Sequence, residues 1–465
     1  VSTVERPRTV GELRESGYQP LPVREEMRKN LIARIRSGEE LFPGVYGYDE
    51  TVIPHIVNAI LAGQDIIFLG ERGQAKSRLI RSLTTLLDDA YPVLAGCEIP
   101  EDPFDPITTQ GRQITEEQGD AAPLVWLDRD QRYGEKLATP DITIADLIGE
   151  VDPIKVAEGR YLSDELTIHY GLVPRTNHGI FCINELPDLA ERIQVGLLNI
   201  MEERDVQIRG YRVRLPLDVF VVASANPEDY TNRGRIITPL KDRYGAQVRT
   251  HYPQRIEHEI DIVEAEHHPV PADFSVSVPD YMKEIIAEIT RLARRSPDVN
   301  QRSGVSVRAS IANYESMLAN SLRRAIMNGE EEAVPRASDL PFVVPTLSGK
   351  VELETIEDGR EEQIIEKLIQ GAVVAVFNRL YNLSDLEPIV ARFKSGISVE
   401  VGEMTASDDY KGLVDSIEGL AEALGVVEAD SPGEIAAGTE FILEGLHLNK
   451  RLNKDRVGAK IQYRG

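Results

Sequence analysis

Cysteine is nearly absent from this chain. The two present among 465 residues, Cys97 and Cys182, are too few for a disulfide framework. Cys182 lies in an apolar run, where a small buried residue is expected. Long apolar stretches are missing as well: none approaches the roughly 18 residues of a membrane-spanning helix. The opening Val1-Ser2-Thr3-Val4-Glu5-Arg6-Pro7 holds nothing like a signal peptide. The expectation is a cytoplasmic protein with no membrane span. Positive charge is in deficit too. Lys and Arg number 52 against 77 Asp and Glu, a net charge of −25. That balance argues against a surface made to contact nucleic-acid phosphates, so a nucleic-acid partner is not expected. What is present, 42% hydrophobic and 28% charged residues, describes a globular chain with length for two or three domains.

The most informative stretch is Asp65-Ile66-Ile67-Phe68-Leu69-Gly70-Glu71-Arg72-Gly73-Gln74-Ala75-Lys76-Ser77-Arg78-Leu79-Ile80. A short apolar run breaks at a glycine, and the pattern turns helical after Lys-Ser. This is the strand, loop and helix order of a phosphate-binding loop. Gly70 and Gly73 let backbone N–H groups converge on an anion, and Lys76 is placed to reach β- and γ-phosphates. Ser77 offers a hydroxyl to Mg²⁺, an ion that keeps several waters and takes few protein ligands. The loop from Gly70 to Arg78, including Glu71, Arg72 and Gln74, is therefore the predicted ATP cradle. The usual pattern has glycine where this chain has Ala75. Alanine is expected to fit there with a negative φ.

Two further strands end in polar residues. Gly179-Ile180-Phe181-Cys182-Ile183-Asn184-Glu185 reads as a buried parallel strand presenting Asn184 and Glu185 at its carboxyl edge, where α/β sheets bind ligands. Glu185 is the candidate to orient and deprotonate water, and Asn184 the candidate metal residue, with a carbonyl oxygen in place of a carboxylate. Val219 to Ala225 ends in Asn226, whose amide can hold the attacking water. Before the loop, Val45, Tyr46 and Gly47 lie in a glycine-punctuated segment placed to line an adenine pocket, though a plain connecting turn reads the same. Arg308, in the first turn of a predicted helix, is set against the dipole preference, which points to an anion, though a plain surface arginine reads the same.

The predicted organisation is a helical segment over 1–40, a nucleotide-binding core over 41–255, a helical lid over 275–395 and an acidic helical appendage over 400–465. Inserts are expected at 91–140, 149–176 and, as a hairpin, 205–215. Residues 400–445 hold 12 acidic residues and one basic residue, and the last twenty carry six basic residues against Asp455, which reads as a solvated tail neutralising them.

In this order of motifs the chain resembles the AAA+ ATPases, and within them the helix-2-insert group that includes MoxR proteins and the ATPase subunit of magnesium chelatase. The resemblance covers roughly residues 40 to 340. Ala75 and Arg308-Ala309-Ser310 look MoxR-like. Cys97-Glu98-Ile99-Pro100-Glu101-Asp102-Pro103, the Gly149 to Pro174 insertion and Asp242-Arg243-Tyr244-Gly245 look closer to the chelatase subunit. The resemblance implies a three-layer α/β/α P-loop domain with a parallel sheet, followed by the helical lid. It implies Walker A at Lys76 and Ser77, Walker B at Asn184 and Glu185, sensor 1 at Asn226 and sensor 2 at Arg308. Arg243 becomes an arginine finger acting across a ring, commonly of six. ATP and Mg²⁺ are the implied cofactors, and the implied partner carries a von Willebrand factor A domain. Three functions fit: a ring ATPase that remodels or activates a partner protein, the motor of a metal chelatase, and a slow nucleotide-gated scaffold.

Overall fold

Four uninterrupted apolar residues, Ile66-Ile67-Phe68-Leu69, are too few for a helix and too apolar for a one-sided strand. They form β1 (Ile66–Leu69), and all four are buried. In a computed structural model of the chain, β1 sits second in a five-stranded sheet with β2 (Tyr133–Leu137), β3 (Gly179–Asn184), β4 (Val219–Ala225) and β5 (Ala246–Arg249), in the order β5-β1-β4-β3-β2. Every pairing in it is parallel. The structure describes residues 6–152, 154, 165–202, 206–208, 211–213, 215–226, 235–301, 304–353, 360–457 and 460–465.

Side chains alternate across the sheet and so build two cores. Ile66, Phe68, Ile180, Cys182, Phe220 and Val222 pack with α2 (Val23–Ser37), α3 (Val52–Leu61) and α4 (Lys76–Ser82). Ile67, Phe181, Ile183, Val221 and Ala223 pack on the other face, with Ile193, Leu197 and Leu240. Three layers follow from strands buried on both sides, as the resemblance implied.

The chain divides into two units, residues 1–71 with 75–251 and residues 72–74 with 252–465. This is simpler than the expected division. The first 40 residues are not a segment apart, since Val23, Met27 and Leu31 of α2 are buried in the first unit's core. Glu26 meets Arg132 in a fully buried fork, with Nη1 to Oε1 at 2.7 Å and Nη2 to Oε2 at 2.5 Å, and the guanidinium lies over the Tyr91 ring. Asp65 joins the same helix to the sheet, accepting from Arg24 Nη2 at 2.8 and 2.9 Å and from the Val221 N–H at 2.9 Å.

The expected insert at 91–140 holds more order than its composition indicated. Tyr91–Leu94 pairs antiparallel with Leu124–Leu127, a helix spans Thr109–Gln118, and β2 ends the stretch as an edge of the central sheet. The expected hairpin at 205–215 appears as Val206–Ile208 against Tyr211–Val213, its turn lying outside the described residues. In the 149–176 insert, Gly149–Val151 pairs with Ile168–Tyr170, and most of the intervening stretch lies outside the described residues.

The second unit is helical around α5 (Asp280–Ala293), α6 (Arg308–Asn328), α7 (Arg360–Leu380) and α8 (Pro432–Leu448). Residues 400–465 are part of its core and not an appendage: Phe441 stacks on Tyr281 with centroids 4.4 Å apart, and Leu443 and Leu446 are fully buried. Their acidic count misleads because several carboxylates turn inward. Glu440 accepts from Tyr410 Oη at 2.5 Å and the Ser338 N–H at 2.9 Å. The basic tail is likewise no solvated coil. It forms β7 (Asn453–Val457) and β8 (Lys460–Arg464), antiparallel, with β6 (Ser398–Val401) on the far side of β8. Lys454 pairs with Glu444 at 2.7 Å and Arg464 with Asp455 at 2.6 Å, so the neutralisation expected of the tail takes place within folded structure. Among the described residues no helix is long and apolar enough to cross a membrane.

Because Glu26→Ala strands the buried Arg132 guanidinium, it is expected to lower stability by about 3–5 kcal/mol. Glu26→Leu combined with Arg132→Met is expected to lose far less. Urea unfolding of both variants reads the difference, and equal losses would show that charge pairing is not what joins α2 to this unit.

Candidate nucleotide site

The loop between β1 and α4 is fixed where it leaves the strand. The Gly70 N–H donates to Ala225 O at 3.1 Å, at the end of β4, and the Leu69 carbonyl accepts from the Thr250 N–H at 2.9 Å. Gly73 has φ 74°, which favours glycine. Ala75 has φ 54°, so the negative φ expected there is not found. A left-handed turn directs the chain into α4, and alanine takes that conformation against its steric preference.

Lys76 is buried, 8% exposed, at the base of this loop. Its ammonium donates to the carbonyls of Gly70 and of Glu71, the latter at 2.8 Å, and to Asn226 Oδ1 at 2.6 Å. Asn226 Nδ2 in turn donates to Glu185 Oε2 at 2.8 Å. A cation, an amide and a carboxylate from three separate stretches of sequence thus lie in one hydrogen-bonded line at the carboxyl edge of the sheet. Glu185 occupies a left-handed conformation, φ 54°, just past β3. Non-glycine residues held in such conformations cluster at functional sites.

A second line runs beside the first. Ser224 Oγ accepts from the Glu185 N–H at 3.2 Å and donates to Asn184 Oδ1 at 3.1 Å. Asn184 Nδ2 donates to Glu135 Oε1 on β2, and Arg81 Nη2 of α4 holds Glu135 Oε2 at 3.0 Å. Burial pushes the Cys182 thiol up to about 12. It therefore stays protonated at neutral pH and reaches Asn184 Oδ1 as a weak donor at 3.5 Å.

Sequence reasoning missed Ser224 and Glu135. Ser224 lies two residues before Asn226, a spacing that puts both on one side of an extended chain and could have flagged it. Nothing in a single sequence pairs Glu135 with Asn184.

The remaining candidates fall in different places. Val45 is buried, and Tyr46 and Gly47 are half-buried, in the segment between α2 and α3. A Cβ on neighbouring Gly44 would lie 2.5 Å from Arg78 Nη2, so this segment runs alongside α4. Ser77 is exposed on α4 and Gln74 is buried in the loop. Arg243 ends the helix Thr238–Arg243, its Nη1 donating to Pro239 O at 2.8 Å. Arg308 is the first residue of α6 in the second unit and is exposed, its N–H donating to Ser306 Oγ at 3.1 Å.

A three-layer α/β/α arrangement with the sheet order β5-β1-β4-β3-β2, a glycine-containing loop between β1 and α4, and polar residues at the ends of β4 and β3 is the fold that the resemblance to AAA+ ATPases implied. The chain is similar in sequence to magnesium-chelatase I subunits. Subunit ChlI of Nostoc sp. is 24% identical over 261 residues, 55% of this chain and 64% of that one. The chloroplastic ChlI subunit of Oryza sativa is 27% identical over 240 residues, 48% of this chain and 52% of that one. The uncharacterized protein YeaC of Bacillus subtilis is 28% identical over 215 residues, 42% of this chain and 64% of that one. The chain thus spans between 52% and 64% of the lengths of these relatives. No family model matches. Among solved structures, one from the complex of magnesium-chelatase subunits BchI and BchD matches at 17% identity over 70% of this chain and 98% of that one, with a TM-score of 0.37. That likeness is too loose to add to what the topology shows.

The left-handed Ala75 yields a simple test. Ala75→Gly is expected to stabilise the protein by about 1 kcal/mol, read from the shift in denaturant midpoint. A loss of stability would mean that the methyl group packs more favourably than its backbone conformation costs.

Proposed function

We propose that this chain is a ring-forming ATPase that binds and hydrolyses ATP with Mg²⁺ to remodel or activate a partner protein. The observation that supports this reading is the Lys76–Asn226–Glu185 line, an ammonium and a carboxylate on either side of one amide. Lys76 balances charge on the β- and γ-phosphates. Asn226 holds the attacking water, and Glu185 orients it and accepts its proton. Val45, Tyr46 and Gly47 contact the base, with Gly70 to Arg78 around the phosphates.

The residues present fit Mg²⁺. Ser77, Glu135 and Glu185 present oxygens, the ligand type a hard cation takes, while the Asn184 oxygen accepts from Ser224 and Cys182. Among the described residues no group of three or more His, Cys, Asp or Glu could hold a metal by itself, and this ion needs few protein ligands where phosphate oxygens and waters complete its shell. When bound, Mg²⁺ neutralises charge on the β- and γ-oxygens.

In this reading Arg308 is sensor 2, Arg243 serves the neighbouring subunit of a hexameric ring, and the partner carries a von Willebrand factor A domain. A metal-chelatase motor is the second reading, favoured by the names of the relatives, magnesium-chelatase subunits among them. Co-purification in the presence of ATP separates the two: a von Willebrand factor A protein supports the first, and larger chelatase subunits support the second.

Lys76→Ala is expected to abolish ATP binding by calorimetry with helical content unchanged in circular dichroism, and unaltered affinity would remove this loop from the site. Glu185→Gln is expected to keep ATP and lose turnover by about 10²- to 10⁴-fold. Arg243→Ala is expected to bind ATP and lose turnover by about 10³- to 10⁵-fold. Mixing those last two variants pairs an intact Glu185 with an intact Arg243 at shared interfaces and restores part of the activity. Turnover that stays independent of mixing and of concentration rules out the ring.

A further inference from the structure

A carboxylate is absent from position 184, and one stands on the next strand. Cys182 belongs to the core between the sheet and α4, and Asn184, two residues on, projects from the same face of β3. Tyr133 packs against that core as well, so Glu135 projects from the same face of β2. Both therefore face α4, the helix that carries Ser77. Glu135 is held there from two sides, by Asn184 Nδ2 and by Arg81, with Nη2 at 3.0 Å and Nε at 3.2 Å. Arg81 lies four residues after Ser77, so both occupy one side of α4. Asn184 itself is turned into the protein: its nitrogen is given to Glu135, and its oxygen accepts from Ser224 at 3.1 Å and from Cys182 at 3.5 Å.

We infer that Glu135 supplies the negative charge of the magnesium site, and that Asn184 is the residue that positions it. Compared with the usual Asp at 184, the charge has moved one strand over and the hydrogen bond between the two positions holds it there. The amide at 184 is then no loss to the site. Asn can donate to Glu135 where Asp would repel it, so the pair works as a unit. This inference rests on the ATP and Mg²⁺ reading above.

The test uses the full chain and a fluorescent ATP analogue, titrated in EDTA and at increasing free Mg²⁺, with Mn²⁺ electron paramagnetic resonance of the nucleotide complex as a second probe. Glu135→Gln keeps an acceptor for Asn184 Nδ2 and removes the charge together with the oxygen held by Arg81; a Glu135 that only ties Arg81 to β2 predicts no change in metal dependence. The expected result is unchanged affinity in EDTA, with the Mg²⁺ needed for half-maximal tightening raised roughly 10- to 100-fold and Mn²⁺ binding weakened in parallel. Glu135→Gln with Asn184→Asp reverses donor and acceptor, returns the charge to position 184, and is expected to recover most of that loss. A Glu135→Gln chain that binds nucleotide with the wild-type Mg²⁺ and Mn²⁺ dependence overturns the inference and leaves the ATP reading standing. A wild-type chain that binds no nucleotide, with or without Mg²⁺, overturns both.

Discussion

A lysine ammonium has to be carried, nearly out of solvent, at the carboxyl edge of a parallel sheet. Removing such a charge from water costs several kcal/mol unless it is paired or hydrogen-bonded. The first unit meets this demand with oxygens from Gly70, Glu71 and Asn226, the last brought by β4. That solution constrains the rest. β4 must neighbour β1, the residue that follows it must be an acceptor, and the amide's other end must find a partner, which is Glu185. The left-handed turn at Ala75 belongs to the same set, because it aims the start of α4 so that Lys76 lies under the loop and not outside it.

Both units treat acidic residues in one way. A carboxylate is taken inside only with its donors supplied: Asp65 by Arg24 and a backbone N–H, Glu26 by Arg132 and the Asp88 N–H, Asp339 by Arg324 and Asn320, Glu440 by Tyr410 and Ser338. A net charge of −25 is therefore a poor guide to the surface. In the 400–465 stretch, charges counted as solvated include several that tie helix to helix.

The central strands and the turn between β1 and α4 were legible because parallel strands buried on both faces leave unbroken apolar runs, and glycines mark the turn. β2 was not legible: Tyr-Gly-Glu-Lys-Leu at a sheet edge carries charge on both flanks and reads as loop. The hairpin β7–β8 was hidden for the same reason, its apolar Ile461 and Tyr463 alternating with Lys460, Gln462 and Arg464. The left-handed φ of Ala75 could not be read from sequence, since alanine gives no sign of it. Of the site, each residue's type and strand-end position could be read, but partnership could not. The bonds joining Asn184 to Glu135 and Ser224 depend on strand order and register, which one sequence does not state.

The strand order carries a consequence for how the chain reaches its native state. β1 ends at residue 69, yet both of its neighbours, β4 and β5, come from beyond residue 218. An apolar strand thus waits unpaired while more than half of its unit is still to find its place, and contacts so distant in sequence form slowly. Lys76 meets Asn226 only after that closure. Any anion that depends on the finished loop stabilises closed chains and no others, in proportion to its concentration over its dissociation constant. Occupancy of the site is in this sense a report that folding of the first unit has been completed.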